Sequence, residues 1–291
     1  MRIALIGYGR MGHLVRSLAE ERGHEVPVII GKEHEHMAAE RFPETLQMAD
    51  LAIDFSSAEA VRRNVEACML AGIPIVVGTT GWNDGISDIK SIVDDADGGM
   101  VFGANFSIGV NLFYKVAEYA AELFAKFPEY EAFIEEQHHS RKKDSPSGTA
   151  LKLKQVVEEY VATGEIAATR AGSIPGTHRL GFDGKADQIL LEHTARNREG
   201  FALGAVMAAE WVAGKKGFYE FSEIIYEVAR TSSILFPETS FFATELGRFS
   251  RQHYWPRLSH RSKRCSECRP MLFTHSQRSR WSSRFIRSHV T

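Results

Sequence analysis

The chain has 291 residues, with 44% hydrophobic and 10% aromatic positions and 35 Lys+Arg against 37 Asp+Glu. At ~100–200 residues per domain this length predicts about two domains, and the composition excludes a collagen-like, disordered or membrane-spanning chain. The near-neutral total averages two unlike parts, a net −10 over residues 1–225 and a net +8 over 226–291. Met1-Arg2 runs directly into Ile3-Ala4-Leu5-Ile6, too short an apolar run for a signal-peptide core. Three cysteines make no disulfide framework, so the cytoplasm is the expected compartment.

Apolar runs of strand length recur at 2–6, 26–30, 51–55, 73–77 and 100–102, separated by segments of helical periodicity. Short strands alternating with helices predict an α/β fold with a parallel, doubly wound sheet. Met11, Leu14, Val15 and Leu18 are spaced as the core stripe of one helix, and Ala60, Val61, Val65 and Cys68 as that of another. The loop after the first strand, Gly7-Tyr8-Gly9-Arg10-Met11-Gly12, fits G-x-G-x-x-G between a strand and a helix. Glycines there permit a tight turn and let backbone N–H groups at the helix start approach a pyrophosphate. After the second strand, Lys32 suits the 2′-phosphate of NADP, while Glu33 leaves NAD tolerated. His34-Glu35-His36 is read as a solvated loop and not as a metal site. Gly78-Thr79-Thr80-Gly81 follows the fourth strand and Gly103-Ala104-Asn105-Phe106-Ser107 the fifth. Both stand at carboxyl ends of strands, where open α/β sheets bind their ligands.

A helix over 110–126 then leads to a strand over 130–137 and a run dense in ionisable groups, from Glu136 to Ala150. Adjacent histidines, His138 and His139, should face opposite ways at the strand's end. Ser147 is placed to cap a helix over 151–161, which turns the amides of Gly148 and Thr149 outward as an anion site. Imidazoles, a lysine cluster and a helix N-terminus within a dozen residues predict a small ligand carrying carboxylates. Asp144 would orient a lysine or histidine, or form a simple salt bridge.

The run Glu136-x-His138-His139-x-x-Lys142-x-Asp144-x-Pro146-Ser147-Gly148-Thr149-Ala150 resembles the signature of the dihydrodipicolinate (4-hydroxy-tetrahydrodipicolinate) reductase family. The resemblance extends through the glycine loop, Gly78-Thr79-Thr80-Gly81, Asn105-Phe106-Ser107, Gly109-Val110-Asn111, Arg170-Ala171-Gly172, Gly176-Thr177-His178, His193-Thr194-Ala195 and Arg198. It implies a Rossmann-like dinucleotide-binding domain from 1–105 and 199–225, an α+β substrate-binding and tetramerisation domain over 106–198, and a non-family tail over 226–291. It also implies reduction, by NADPH or NADH, of a cyclic conjugated imine bearing two carboxylates, in the diaminopimelate route to lysine. By the same resemblance His138 is the acid/base group, Lys142 the proton donor, and His139 with Gly148 and Thr149 the holder of substrate carboxylates. The cofactor would meet Gly7, Tyr8, Gly9, Arg10, Met11, Gly12, Lys32, Gly78, Thr79, Thr80, Gly103, Ala104, Asn105 and Phe106. The implied assembly is a homotetramer, with no nucleic-acid, membrane or metal partner. Two other readings stay open: a different two-domain Rossmann oxidoreductase acting on a semialdehyde or sugar, and a non-catalytic nucleotide sensor.

The family resemblance is expected to end with a strand over 217–225. Beyond it, residues 226–291 hold 11 Arg, one Lys, 12 Ser, one Gly and no Asp, the composition of a basic, largely disordered extension. Cys265 and Cys268, with His260 and His275 nearby, lack the second cysteine pair of a structural zinc site. Deletion of 230–291 is expected to leave activity and assembly intact.

Overall fold

The computed structural model describes residues 1–31 and 42–231, with Phe42 and Thr231 described in backbone alone. Lys32, the His34-Glu35-His36 run and the readings of residues 232–291 lie outside the described residues.

The first hundred residues alternate as their periodicity predicts: β1 (Arg2–Ile6), α1 (Arg10–Glu21), β2 (Glu25–Ile30), α2 (Phe42–Leu46), β3 (Leu51–Asp54), α3 (Val61–Ala71), β4 (Ile75–Val77), α4 (Ile86–Asp95) and β5 (Gly99–Phe102). Late in the chain α7 (Glu199–Val212) is followed by β10 (Gly217–Glu220), which pairs with β5. The resulting sheet has the order β10-β5-β4-β3-β1-β2, and every neighbouring pair is parallel. Both faces are covered, as parallel strands require. Ile3, Leu5 and Ile53 meet α1 and α7 on one side, and Ala4, Ile6 and Ala52 meet α3 and α4 on the other. Cys68 is fully buried in the second cluster, and burial pushes its thiol up, so it is the inert core residue the sequence suggested. Pro27 sits in β2, at the sheet's edge, beside a register shift, the position where a missing N–H is tolerated.

The expected strand over 217–225 is a strand only as far as Glu220. Residues Phe221–Thr231 form a helix, α8, that sends Phe221, Ile224, Ile225 and Val228 into the core. Their i, i+3, i+4, i+7 spacing is that of a helix stripe, and placing the chain's compositional break at 226 had cut Val228 away from it.

Between β5 and α7 the chain builds a second layer: α5 (Ile108–Phe124), β6 (Glu131–His138), α6 (Gly148–Glu158), β7 (Ala167–Arg170), β8 (Thr177–Asp183) and β9 (Gln188–Thr194). Helix α6 begins three residues before the expected 151 because the Ser147 hydroxyl accepts from the amide of Ala150. The sheet is mixed, of order β7-β6-β8-β9, with β6 parallel to β7 and antiparallel to β8. Phe113, Tyr114, Ala117 and Ala121 of α5 and Leu153 and Val157 of α6 pack against Ile134, Leu180 and Phe182. Register carries the helix-facing side from an apolar row, Ile134-Leu180-Leu191, to a polar one, Glu136-His178-His193. Among the described residues no helix is long and apolar enough to cross a membrane.

Candidate active site

Strand order in the parallel sheet reverses between β1 and β3, and ligands of such sheets bind at that switch point. The glycine loop after β1 stands there, and its three glycines differ in physical reason. Gly7 has φ +88°, and a Cβ on it would lie 2.2 Å from the Phe55 carbonyl oxygen; one on Gly12 would lie 2.4 Å from the Gly7 oxygen. Those two are bare because the backbone closes on them. A Cβ on Gly9 would meet nothing within 4 Å, so that position is open to the cleft.

A cavity of about 520 Å³ is lined by Gly7, Tyr8 and Gly9 together with Ile30, Gly31, Phe55, Ser56, Ser57, Arg63 and Asn64. Beside it a cavity of about 350 Å³ is lined by Gly9, Arg10, Met11, Gly78, Thr79, Thr80, Ser56 and Arg198. Tyr8 is fixed as a wall by Arg16, whose Nη1 donates to its hydroxyl at 3.1 Å, and by the His13 ring 4.0 Å away. Thus Gly7, Tyr8, Gly9, Arg10, Met11, Gly78, Thr79 and Thr80, all named from the sequence, line two adjoining cavities. Ser56, Ser57, Arg63, Asn64 and Arg198 join them, although no motif assigned them a role.

Behind the cleft Asp54, fully buried at the end of β3, organises the loop that follows. Its Oδ1 accepts from the Ser56 amide at 2.7 Å and the Thr79 hydroxyl at 2.9 Å, and its Oδ2 from Asn64 Nδ2 at 2.8 Å. Burial raises its carboxyl above the ordinary range against the pull of these neutral donors. The Thr79 hydroxyl is therefore spent on Asp54 and not turned to the cleft.

The Gly103-Ala104-Asn105-Phe106 stretch lies elsewhere than these cavity walls. Phe106 is a core side chain, packed 4.7 Å from the Phe221 ring and 6.4 Å from Phe55, so only its backbone is left to meet a cofactor. Asn105 reaches toward the second layer, donating from Nδ2 to the Thr149 hydroxyl at 3.3 Å. Asn111, buried on α5, holds the stretch by donating to the carbonyls of Asn105 and Ser107 at 2.9 and 2.8 Å. One hydrogen bond thus ties the loop after β5 to the start of α6.

At that start lies a buried polar cluster. Glu136, 1% exposed, accepts from the Ser147 amide at 2.9 Å, from Arg170 Nη2 at 2.6 Å and from the Ser147 hydroxyl. Burial works against its charge, but Ser147 and Arg170 outweigh it and hold the carboxyl below its ordinary range. His138 Nδ1 stands 3.4 Å from Glu136 Oε2, and His178 Nε2 lies 3.2 Å from the Ser147 hydroxyl. Burial pushes His138 below its usual value and His178 down to about 4, so both rings are neutral at neutral pH. Arg170 also donates to the Asp144 carbonyl at 2.7 Å, which draws the loop before α6 onto β7. On that loop Lys142 pairs with Asp144 at 2.9 Å, and the Asp144 carboxyl is lowered first by Lys142 and also by the Gly148 amide. His139, past the end of β6, is half-buried where His138 is buried, and its Nδ1 makes no hydrogen bond. Ligand-type atoms of Glu136, His138 and His178 lie within 4.8 Å of one another. The Arg170 guanidinium already fills the cation's place beside that carboxylate.

A parallel sheet with a glycine loop at its switch point, linked to a mixed sheet holding a buried Glu-His cluster, is the arrangement of a two-layer α/β protein with a dinucleotide-type cleft. Residues 1–106 match the family model for the N-terminus of dihydrodipicolinate reductase and residues 109–225 that for its C-terminus. The chain belongs to this family. It is 35% identical over 241 residues to the 4-hydroxy-tetrahydrodipicolinate reductase of Christiangramia forsetii, covering 78% of this chain and 99% of that protein. It is 36% identical over 262 residues to that of Archaeoglobus fulgidus, covering 77% and 100%. The structure of a dipicolinate-bound dihydrodipicolinate reductase from Paenisporosarcina sp. TG-14 shares the fold, with a TM-score of 0.64 at 22% identity over 77% of this chain and 99% of that one. Residues 226–291 fall outside both family-model matches.

Proposed function

We propose that the protein is an NAD(P)H-dependent reductase that converts 4-hydroxy-tetrahydrodipicolinate (dihydrodipicolinate) to tetrahydrodipicolinate in the diaminopimelate route to lysine. The observation that carries this reading is the bond from Asn105 to Thr149, which sets the loop after the last strand of the nucleotide sheet against the helix start beside His138 and Lys142. Family membership and the relatives' names support the same reaction. In this reading residues 1–105 with 199–231 hold the dinucleotide, and residues 106–198 hold the substrate.

The residues fit the cofactor: the cleft is bare at Gly9, cationic at Arg10 and Arg63, and walled by Tyr8. Bound NAD(P)H supplies the hydride. Lys142 donates the proton that the reduced ring requires, and His138 serves as the acid/base group; a ring held neutral gives up an added proton readily. His139 with the amides of Gly148 and Thr149 receives the substrate carboxylates at the N-terminus of α6. The assembly is a homotetramer in the cytoplasm. Supporting self-association, Leu190 on the outer side of β9 and Leu112, Val116, Tyr119 and Leu123 along α5 are exposed apolar groups in the second layer, while the count of four and the compartment rest on the family resemblance. Removal of residues 230–291 is expected to leave turnover and assembly unchanged.

The reading is tested by NADPH absorbance when dihydrodipicolinate synthase forms the substrate in situ. His138→Gln and Lys142→Ala are each expected to lower turnover by ~100-fold or more while cofactor affinity survives. Wild-type turnover in both variants overturns the reading. The same assay with NADH is expected to proceed at a higher KM, and light scattering gives the assembly directly.

A further inference from the structure

We propose that Glu136 is a positioning residue of the reductase site: its carboxylate takes the Nδ1–H of His138 and so leaves Nε2 as the nitrogen that carries the catalytic proton. The inference rests on the assignment of His138 as the acid/base group.

A count of lone pairs carries it. An ionised carboxylate offers about two acceptor positions per oxygen. Glu136 Oε1 is filled by the Ser147 amide and by Arg170, and Oε2 accepts the Ser147 hydroxyl. One position on Oε2 remains, faced by His138 Nδ1 at 3.4 Å and His178 Nε2 at 3.6 Å. His178 has a better partner. The Ser147 oxygen, its hydrogen given to Glu136, accepts from the Ala150 amide at 3.2 Å and lies 3.2 Å from His178 Nε2, so that N–H points at Ser147. The last position falls to His138 Nδ1, a buried atom within ion-pair distance of Oε2 that has no hydrogen-bond partner in the resting arrangement. Buried polar atoms are nearly always paired, and catalytic hydrogen bonds are often long or poorly aligned in a free enzyme. The other nitrogen of the ring, Nε2, lies 3.3 Å from where a Cβ on Gly176 would stand, a spot kept open by the glycine.

The charged and titratable groups around His138 make the pair directional. Lys142 and Asp144 approach from the loop before α6, Arg170 from β7 and His178 from β8, with His193 beyond it on β9. Burial, Lys142 and Arg170 oppose a charge on His138; Glu136 is the chief group that favours it, and Asp144 adds to it. A fixed carboxylate behind an imidazole holds its tautomer and stabilises the imidazolium as it forms.

The test is Glu136→Gln in the full chain, which keeps size and one acceptor but removes the charge. Turnover is expected to fall ~10–100-fold with the KM for NADPH little changed. The limb of the kcat/KM pH profile that belongs to His138 is expected to move about one unit or more toward lower pH, because the group favouring its protonated form is gone. A merely structural Glu136 would lower the melting temperature and leave that limb where it was, and an unmoved limb overturns the proposal. His138→Gln separates the two failures: full activity in that variant removes the acid/base assignment itself, whereas its inactivity beside an unshifted Glu136→Gln profile removes Glu136 alone. Should Glu136→Gln not fold, ¹⁵N NMR of the unaltered protein above pH 7 decides, the His138 signal being identified by its loss in His138→Gln. The Nδ1–H tautomer is expected, and the Nε2–H tautomer overturns the proposal.

Discussion

Asp54 and Glu136 are both sealed from solvent, one at a strand end in the parallel sheet and one inside the mixed sheet, yet their ionisation is driven in opposite directions. Asp54 is met by an amide, a hydroxyl and a carboxamide, all neutral, and burial raises its carboxyl. Glu136 has a comparable set of bonds, but one comes from the Arg170 guanidinium, and its carboxyl is lowered. Burial alone therefore does not decide a carboxylate's charge here: for Glu136 the Ser147 hydroxyl and the Arg170 guanidinium together outweigh it, whereas the neutral donors of the more deeply enclosed Asp54 do not. The consequence is functional. Asp54 fixes the loop on which the cofactor cleft is built, and Glu136 supplies a permanent negative charge where a proton is to be handled.

The sharpest way to break the contrast is Arg170→Ala, which gives Glu136 the all-neutral surroundings of Asp54. Loss of ~3–5 kcal/mol is expected near neutral pH, since a buried charge is left without its partner. In the wild type the folded carboxyl lies below its unfolded value, so its stabilisation is present above the ordinary carboxylate range and fades as pH falls through the folded value. In the variant the penalty is relieved by protonation, so the gap to wild type should narrow on acidification. Urea melts at pH 5 and pH 8 read it, and a constant gap would mean that Glu136 was not ionised.

Asp54→Asn probes the other side. The amide keeps an oxygen for Ser56 and Thr79 but turns its NH₂ toward the donor of Asn64, at a cost of ~1–3 kcal/mol. Asp54 has a raised folded value, so the stability tied to its proton is complete below the unfolded value and is lost as pH rises through the folded one. That slope should disappear from the variant's stability profile, and the KM for NAD(P)H should rise because Ser56 and Asn64 line the cleft. A profile unchanged in slope would show that Asp54 does not titrate against folding.

Half of this contrast was legible in the sequence. The glycine loop, the βα alternation and the Glu136-to-Ala150 run are local patterns, and the structure gathers eight of the named cofactor residues along two adjoining cavities. Asp54 carried no signal, because a carboxylate ending an apolar strand reads as the first residue of a loop. His178 and His193 entered the reading only as matches to a family, since what joins them to Glu136 is cross-strand register, a property of pairing between segments about 40 and 15 residues apart. Phe106 was read as a cofactor position from its place after β5, and that place gave no sign of its ring's packing between Phe55 and Phe221, which depends on α8. Helix α8 itself was hidden by composition: its fourth core residue, Val228, lies beyond the point where the charge balance changes.

Asp144 is a third carboxylate, paired with Lys142 like an ordinary surface acid and more than half exposed. Asp144→Asn should change stability by less than ~1 kcal/mol, as exposed pairs do. Its effect should appear in substrate binding instead, because Asp144 rests on Lys142 and the Gly148 amide, two groups proposed here to meet the substrate. Without the resident charge a dicarboxylate has less to displace, so the substrate KM should fall by roughly fivefold at most, equivalent to the same ~1 kcal/mol, with kcat less affected. A KM that rises in steady-state assays at low ionic strength would instead make Asp144 the group that aims Lys142. The three carboxylates would then rank by what they hold, the cleft loop, the imidazole and the lysine, with burial setting only how much folding free energy each one carries.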